Sequence, residues 1–315
     1  MSRIAVIGCG VVGSSWALVF SRAGYDVSIY DASPTAQQDT VAFVRAALTA
    51  LNVQGLAGDD PLEVVLARLT TTSSLEEALA GAEYVQESAP EQLEIKRELY
   101  RKLDRLAAPT VTIGSSTSGL PASCFTEGLA HARRCLVVHP INPPHLIPLV
   151  EIVPSPWTAA EVVDTAMVIM RKVGQSPIRL TREINGFVVN RIQSAVLAEA
   201  FRLIEDGICE ASDVDKAVAD GLGLRWFFMG PFETIDLNAQ TGIAEYCKNL
   251  GLMYHGLAKE QADPRNWTPA LIKAIEDQRR LVTPADQLSA RRSWRDRCLA
   301  ALISAKRLVL AAQHS

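Results

Sequence analysis

The chain has 315 residues, of which 48% are hydrophobic and 21% charged, and its formal net charge is −4. At about 150 residues per domain this leaves room for two domains with sizeable cores. The composition excludes disordered and collagen-like classes. The acidic balance argues against a nucleic-acid-coating protein, and no run of five or more basic residues forms a polybasic membrane patch.

The opening stretch MSRIAVIGCG carries one charge and a short apolar run that breaks at glycine. A signal peptide needs a longer apolar core, so a cytoplasmic protein beginning directly with a strand is expected. Ile4–Ile7 is that strand. Val11–Ala23 is helical and ends at Gly24, and Val27–Tyr30 is a second strand closed by Asp31. Further strands are predicted at Tyr84–Gln86, Val111–Gly114, Cys135–His139, Leu149–Val153 and Ile178–Leu180. Helices are predicted at Leu93–Leu106 and Ala160–Val173, the latter with Thr158 and Glu161 as a capping-box pair and Gly174 as its stop. This alternation implies an α/β Rossmann-type domain, a mostly parallel sheet with helices on both faces, over residues 1–185. Beyond it no strand is expected. Phe187–Asp206 reads as a long helix ended by Gly207, Ser212 caps a short helix ending at Gly221, and prolines punctuate further helices. Residues 186–315 are therefore expected to form an all-α domain. No stretch is long and apolar enough for a transmembrane helix.

Cysteines stand at 9, 124, 135, 209, 247 and 298, with no CxxC pair or zinc-knuckle spacing. They read as free thiols of a reducing compartment, and no metal site is expected.

Gly8-Cys9-Gly10-Val11-Val12-Gly13 is a GxGxxG motif. It follows a strand, opens a helix and has Asp31 at the end of the second strand, which is the context of a dinucleotide fingerprint. Gly8 permits the tight turn, Gly10 the approach of a pyrophosphate, and Gly13 close packing of helix on strand. The first-turn amides at Val11 and Val12 face the phosphates. Asp31 is expected to accept from the adenosine ribose hydroxyls and so to select NAD.

His139 ends a strand, where ligands of open α/β sheets bind, and histidine is the usual proton shuttle near neutral pH. A lone histidine there can equally be structural. Glu151, inside the apolar run Leu149–Val153, is costly to bury unless paired, and the two together would make a base and its orienting group. The turn Ser115-Ser116-Thr117-Ser118-Gly119 either caps the next helix or lines the site. Asn190, in the first turn of the long helix, is either an interface contact or a site residue.

These residues resemble the 3-hydroxyacyl-CoA dehydrogenase superfamily. The resemblance runs through the glycine motif with Asp31, the serine-rich turn, His139-Pro-x-Asn-Pro-Pro, Pro148-Leu-Val-Glu151 and Gly186-Phe-Val-Val-Asn-Arg191. It implies Ser118, His139, Glu151 and Asn190 as active-site residues, with Glu91 and Lys96 in a segment that contacts the nicotinamide side of NAD. Ser116, beside the cofactor, stands where many acyl-CoA members carry asparagine. Gly174–Pro177, Asp220–Arg225, Met229-Gly230-Pro231, Glu233-Thr234 and Leu237-Asn238-Ala239 are most similar to the lambda-crystallin branch, the L-gulonate 3-dehydrogenases. Arg225, followed by Trp226-Phe227-Phe228, either holds a substrate carboxylate in a bidentate fork or covers a loop or dimer surface. The resemblance implies an NAD-dependent dehydrogenase of a small 3-hydroxy acid, a homodimer through its helical domain. The alternatives are an L-3-hydroxyacyl-CoA dehydrogenase, an L-carnitine dehydrogenase, and a cofactor-binding, crystallin-like structural protein.

Overall fold

A computed structural model describes residues 2–312. It divides into two units, one comprising the chain up to Val189 together with the residues from Asp296 on, the other Asn190–Arg295.

The first unit is built on an eight-stranded sheet: β1 (Arg3–Ile7), β2 (Asp26–Tyr30), β3 (Leu69–Thr72), β4 (Ala82–Glu87), β5 (Thr112–Ser115), β6 (Cys135–Pro140), β7 (Leu149–Pro154) and β8 (Ser176–Arg179). The spatial order is β3-β2-β1-β4-β5-β6-β7-β8. Successive strands run outward from β1 to β3, and the chain then returns to lay β4 on the other side of β1. The crevice beyond the carboxyl ends of β1 and β4 is thus a topological switch point, where such sheets bind ligands. Neighbouring strands are parallel except β6 and β7.

Both faces of the sheet are covered, which is why its strands are continuously apolar rather than alternating. Ile4 and Val6 of β1 join a core with Trp16, Leu18 and Val19 of the helix Val11–Arg22 and Val163 and Met170 of the helix Ala160–Lys172. Ala5 and Ile7, pointing the other way, join Tyr100 and Leu103 of the helix Leu93–Leu106. The end of the last helix, Leu288–Ala312, returns to the first of these cores through Leu299, Ala300 and Ile303.

Some local expectations are corrected. The helix Pro34–Asn52, capped by Ser33, and the edge strand β3, polar in Thr70–Thr72, were not anticipated. Thr158 and Glu161 form no capping box: the N-cap is Ala159, while Thr158 donates to the Cys135 carbonyl at 2.7 Å and Glu161 pairs with Arg133. The long helix begins at Val189 rather than Phe187, because Gly186 and Phe187 take positive φ angles of 74° and 51°. Ser212 lies inside the helix Ala211–Lys216, whose N-cap is Glu210, and a π-helical stretch Ala217–Leu222 follows directly.

The second unit is helical, with no strand among its residues. Its main helices are Val189–Glu205, Ile243–Glu260 and Pro269–Val282. Arg265 draws Glu205, Asp206 and Asp263 together, and Trp267 stacks on Phe201 at 4.0 Å between ring centroids.

Candidate active site

The glycine turn follows β1 directly. Gly8 has φ +102°, and a Cβ there would stand 2.6 Å from the Ser88 carbonyl oxygen; a Cβ on Gly13 would stand 1.8 Å from the Gly8 oxygen. Both positions therefore exclude a side chain. At Gly10 a Cβ would enter open space, so the missing side chain there leaves room for a ligand rather than relieving a protein contact. Gly10 is the N-cap of the helix Val11–Arg22, and helix geometry leaves the first-turn amides at Val11 and Val12 without intrahelical acceptors. Asp31 braces this turn: Oδ2 accepts from the Cys9 amide at 2.8 Å and Oδ1 from the Ser33 amide at 2.9 Å. Each carboxylate oxygen keeps a second lone pair for a ribose hydroxyl. These residues fit a dinucleotide. Burial pushes the Cys9 thiol up to about 11, with Thr40 opposing and Asp31 adding to the shift, so it stays protonated at neutral pH.

Glu91 organises the serine-rich turn. Its Oε1 accepts from the Thr117 hydroxyl and from the amides of Ser118 and Gly119, both at 3.1 Å. Ser118 is exposed at the tip of this turn. Lys96 is buried, with its ammonium 2.8 and 3.0 Å from the two Glu87 oxygens. Glu87 also accepts from Ser115 Oγ at 2.5 Å and from the Ala89 amide at 2.7 Å. Lys96 thus secures the segment between β4 and the next helix from beneath. Ser116 is the meeting point of Trp16, Gln86 and Ser88.

His139 and Glu151 are register partners on the antiparallel pair β6/β7, so their side chains emerge on the same face. His139 Nδ1 lies 2.7 Å from Glu151 Oε2, both residues being buried. The other oxygen, Oε1, accepts from the amides of Val188 at 2.7 Å and Val189 at 3.0 Å. The left-handed turn at Gly186–Phe187 precedes these amides, and a non-glycine residue with positive φ is strained. The buried Phe187 ring, 5.5 Å from the His139 ring, ties the turn to the histidine. Burial pushes the Glu151 carboxyl up, but the bonds from His139, Val189 and Val188 outweigh it and hold it below the ordinary carboxylate value. The result is an ionised carboxylate fixing one histidine nitrogen and leaving the other for chemistry.

In the helical unit, Asn190 occupies the first turn of the helix Val189–Glu205, and Arg225 is exposed on the short helix Gly223–Trp226. Phe227 and Phe228 make an edge-to-face pair beside it.

Sequence reasoning did not single out Ser88, Gln86, Trp16 or Phe187. A signal existed for Gln86, a polar side chain inside the apolar strand β4 that must find partners when buried. For Phe187 the signal was its place in the Gly186–Arg191 motif, while its role depends on a turn.

Both units of the chain resemble known proteins. Residues 3–184 match the family of the 3-hydroxyacyl-CoA dehydrogenase NAD-binding domain, and residues 186–281 match the C-terminal domain of the same enzymes. The chain is 43% identical over 306 residues to the lambda-crystallin homolog of Bos taurus, covering 96% of this chain and 95% of the relative. It is 38% identical over 317 residues to L-carnitine dehydrogenase of Pseudomonas aeruginosa, covering 98% and 94%. Among solved structures, FHMPC 5-dehydrogenase, an NAD+ dependent dismutase, superposes with a TM-score of 0.83 at 26% identity over 98% of this chain and 99% of that one. With an NAD-binding unit at its N-terminus and both domain families matched in order, the chain belongs to the 3-hydroxyacyl-CoA dehydrogenase family.

Proposed function

We propose that the chain oxidises the 3-hydroxyl of a small 3-hydroxy acid, L-gulonate or a close analogue, to the 3-oxo acid. The observation that carries this reading is the His139–Glu151 pair, with the second Glu151 oxygen held by two amides. An ionised carboxylate can only accept, so neutral His139 carries its hydrogen on Nδ1 and a lone pair on Nε2. Nε2 takes the proton of the substrate hydroxyl as the C3 hydrogen departs, and Glu151 stabilises the imidazolium that forms. Bound NAD supplies the hydride acceptor. Gly8, Gly10, Gly13, Val11, Val12 and Asp31 hold its adenosine diphosphate half, and Glu91, Lys96 and Ser116 shape the nicotinamide end. Ser118 and Asn190 hold the oxygen as it becomes a carbonyl, and Arg225 anchors the carboxylate so that C3 faces the cofactor. Motif similarity supports these last three roles.

The preference for a free acid rests on Arg225 and on 43% identity to a lambda-crystallin homolog. L-carnitine is the second reading, favoured by the aromatic run Trp226–Phe228, which suits a trimethylammonium group. An acyl-CoA substrate and a crystallin-like structural role are the remaining alternatives. Turnover of NAD with a panel of free 3-hydroxy acids, L-carnitine and 3-hydroxyacyl-CoA thioesters decides among them. Turnover of thioesters alone overturns the free-acid reading, and turnover of none favours the structural one.

The cytoplasm fits the six free cysteines. Among the described residues no helix is long and apolar enough to cross a membrane. A homodimer through the helical unit is supported by the apolar side chains that this unit exposes, including Leu252 and Leu281.

A further inference from the structure

A hydroxyl oxygen has two lone pairs and one proton. Ser116 Oγ lies 3.1 Å from Trp16 Nε1, 2.7 Å from Gln86 Nε2 and 2.8 Å from Ser88 Oγ. The indole nitrogen can only donate. The Gln86 amide is oriented by its other contacts: Nε2 faces the Val138 carbonyl at 3.3 Å, which can only accept, and Oε1 takes the Tyr84 hydroxyl at 2.5 Å. Trp16 and Gln86 therefore occupy both lone pairs of Ser116. The bond to Ser88 must use Ser116's own proton, which makes Ser88 Oγ the acceptor. The hydroxyl hydrogen of Ser88 then points away from Ser116, and no protein acceptor for it stands among the described residues.

Ser88 also lies against the glycine turn at the switch point of the sheet. It is the first residue after β4, and its amide donates to the Ile7 carbonyl at 2.7 Å, at the switch point between β1 and β4. Its Cβ lies 3.4 Å from where a Gly13 Cβ would be, and its carbonyl oxygen 2.6 Å from where a Gly8 Cβ would be. The residue is half-buried.

We propose that Ser88 is a cofactor-contacting residue whose hydroxyl donates a hydrogen bond to an oxygen of the bound dinucleotide. Trp16, Gln86 and Ser116 are positioning residues that set the direction of that proton. The donors run in one sense, Tyr84 to Gln86 to Ser116 to Ser88 to cofactor, and each bond in such a chain polarises the next. The role rests on the NAD-dependent reading above.

The test is calorimetric titration of NAD into the wild-type chain, Ser88→Ala, Ser116→Ala and the double variant, with the melting temperature of each measured without cofactor. Ser88→Ala is expected to raise the NAD dissociation constant about three- to tenfold, the scale of one neutral hydrogen bond, with the chain still folded at the titration temperature. Ser116→Ala is expected to weaken NAD binding through Ser88, so that the double variant binds no more weakly than the weaker single one. Unchanged NAD affinity in Ser88→Ala overturns the proposal, as do additive effects in the double variant. If Ser116→Ala does not fold, Ser88→Ala decides alone. A wild-type chain that binds no NAD overturns the dehydrogenase reading itself, a result distinct from a Ser88 variant that binds normally.

Discussion

His139 and Glu151 are twelve residues apart in sequence and opposite each other in the sheet, their side chains joined by a 2.7 Å bond between Nδ1 and Oε2. The antiparallel pairing of β6 with β7 makes this contact. A parallel neighbour would need a crossover of a dozen or more residues, whereas the short loop between these strands returns the chain directly and sets the carboxylate across from the ring.

Removing the base should leave cofactor binding intact and stop proton transfer. His139→Asn is expected to lower kcat about 10²-fold or more with little change in NAD affinity. Glu151→Gln should also lower kcat, because the amide no longer stabilises the imidazolium. Steady-state kinetics with calorimetric NAD titration checks both, and near-normal turnover in either variant would remove the dyad from the mechanism.

The Glu151 carboxyl is held below its ordinary value of 4.5, burial opposing and His139, Val189 and Val188 prevailing. A carboxyl with a depressed folded pKa contributes stability that is fully present above the unfolded value. That stability is lost as pH falls through the folded value. Urea midpoints measured from neutral pH downward should therefore fall below about pH 4.5, and Glu151→Gln should be less stable near neutrality yet fall less steeply in acid. Parallel acid limbs for the two proteins would contradict this.

On the proposed reading Asp31 faces the ribose of the cofactor, and Ala32, Ser33 and Pro34 supply no arginine in the residues that follow it. A 2′-phosphate there meets a like charge, which costs several kcal/mol, so NAD should be preferred over NADP by roughly 10²-fold or more in kcat/KM. Comparable specificity constants for the two cofactors would show that Asp31 does not face the ribose.

Arg225 separates the substrate classes. If it pairs with a free carboxylate, losing it costs about 2–5 kcal/mol. Arg225→Met should then reduce kcat/KM for the acid by roughly 30-fold to several thousandfold, with NAD affinity unchanged. Arg225→Lys should rescue only part of this, keeping the charge but not the fork. Intact free-acid turnover in Arg225→Met, or an equal loss with acyl-CoA, would end the carboxylate-anchor reading.

The helical unit exposes Leu252 at 86% and Leu281 at 88% of their surface, and the proposed homodimer would cover apolar side chains of this unit. An isologous contact between two copies covers the same patch on each. Light scattering at micromolar concentration should give twice the mass of one chain, and a monomer mass would count against the dimer.

Much of the candidate site is readable in the sequence. The glycine motif announces itself because tight turn, close approach and helix packing each demand glycine at a set spacing, and Gly8 and Gly13 indeed have no space for a Cβ. The buried strands were legible as apolar runs because both faces of the sheet are covered. Edge strand β3 was not, since Thr70 and Thr71 are exposed and the strand carries no such run. The capping of Ala160–Lys172 differs from the expectation because Thr158 and Glu161 each take another partner outside the helix. His139 and Glu151 could be suspected of pairing from the cost of burying a carboxylate, a local argument. That Glu151 is also gripped by the amides of Val188 and Val189, that Phe187 turns the chain to deliver them, and that Trp16, Gln86, Ser88 and Ser116 meet at one oxygen was decided by tertiary structure alone. Such contacts join residues separated by up to about a hundred positions, and no periodicity, propensity or spacing along a chain encodes which side chains the sheet will bring face to face.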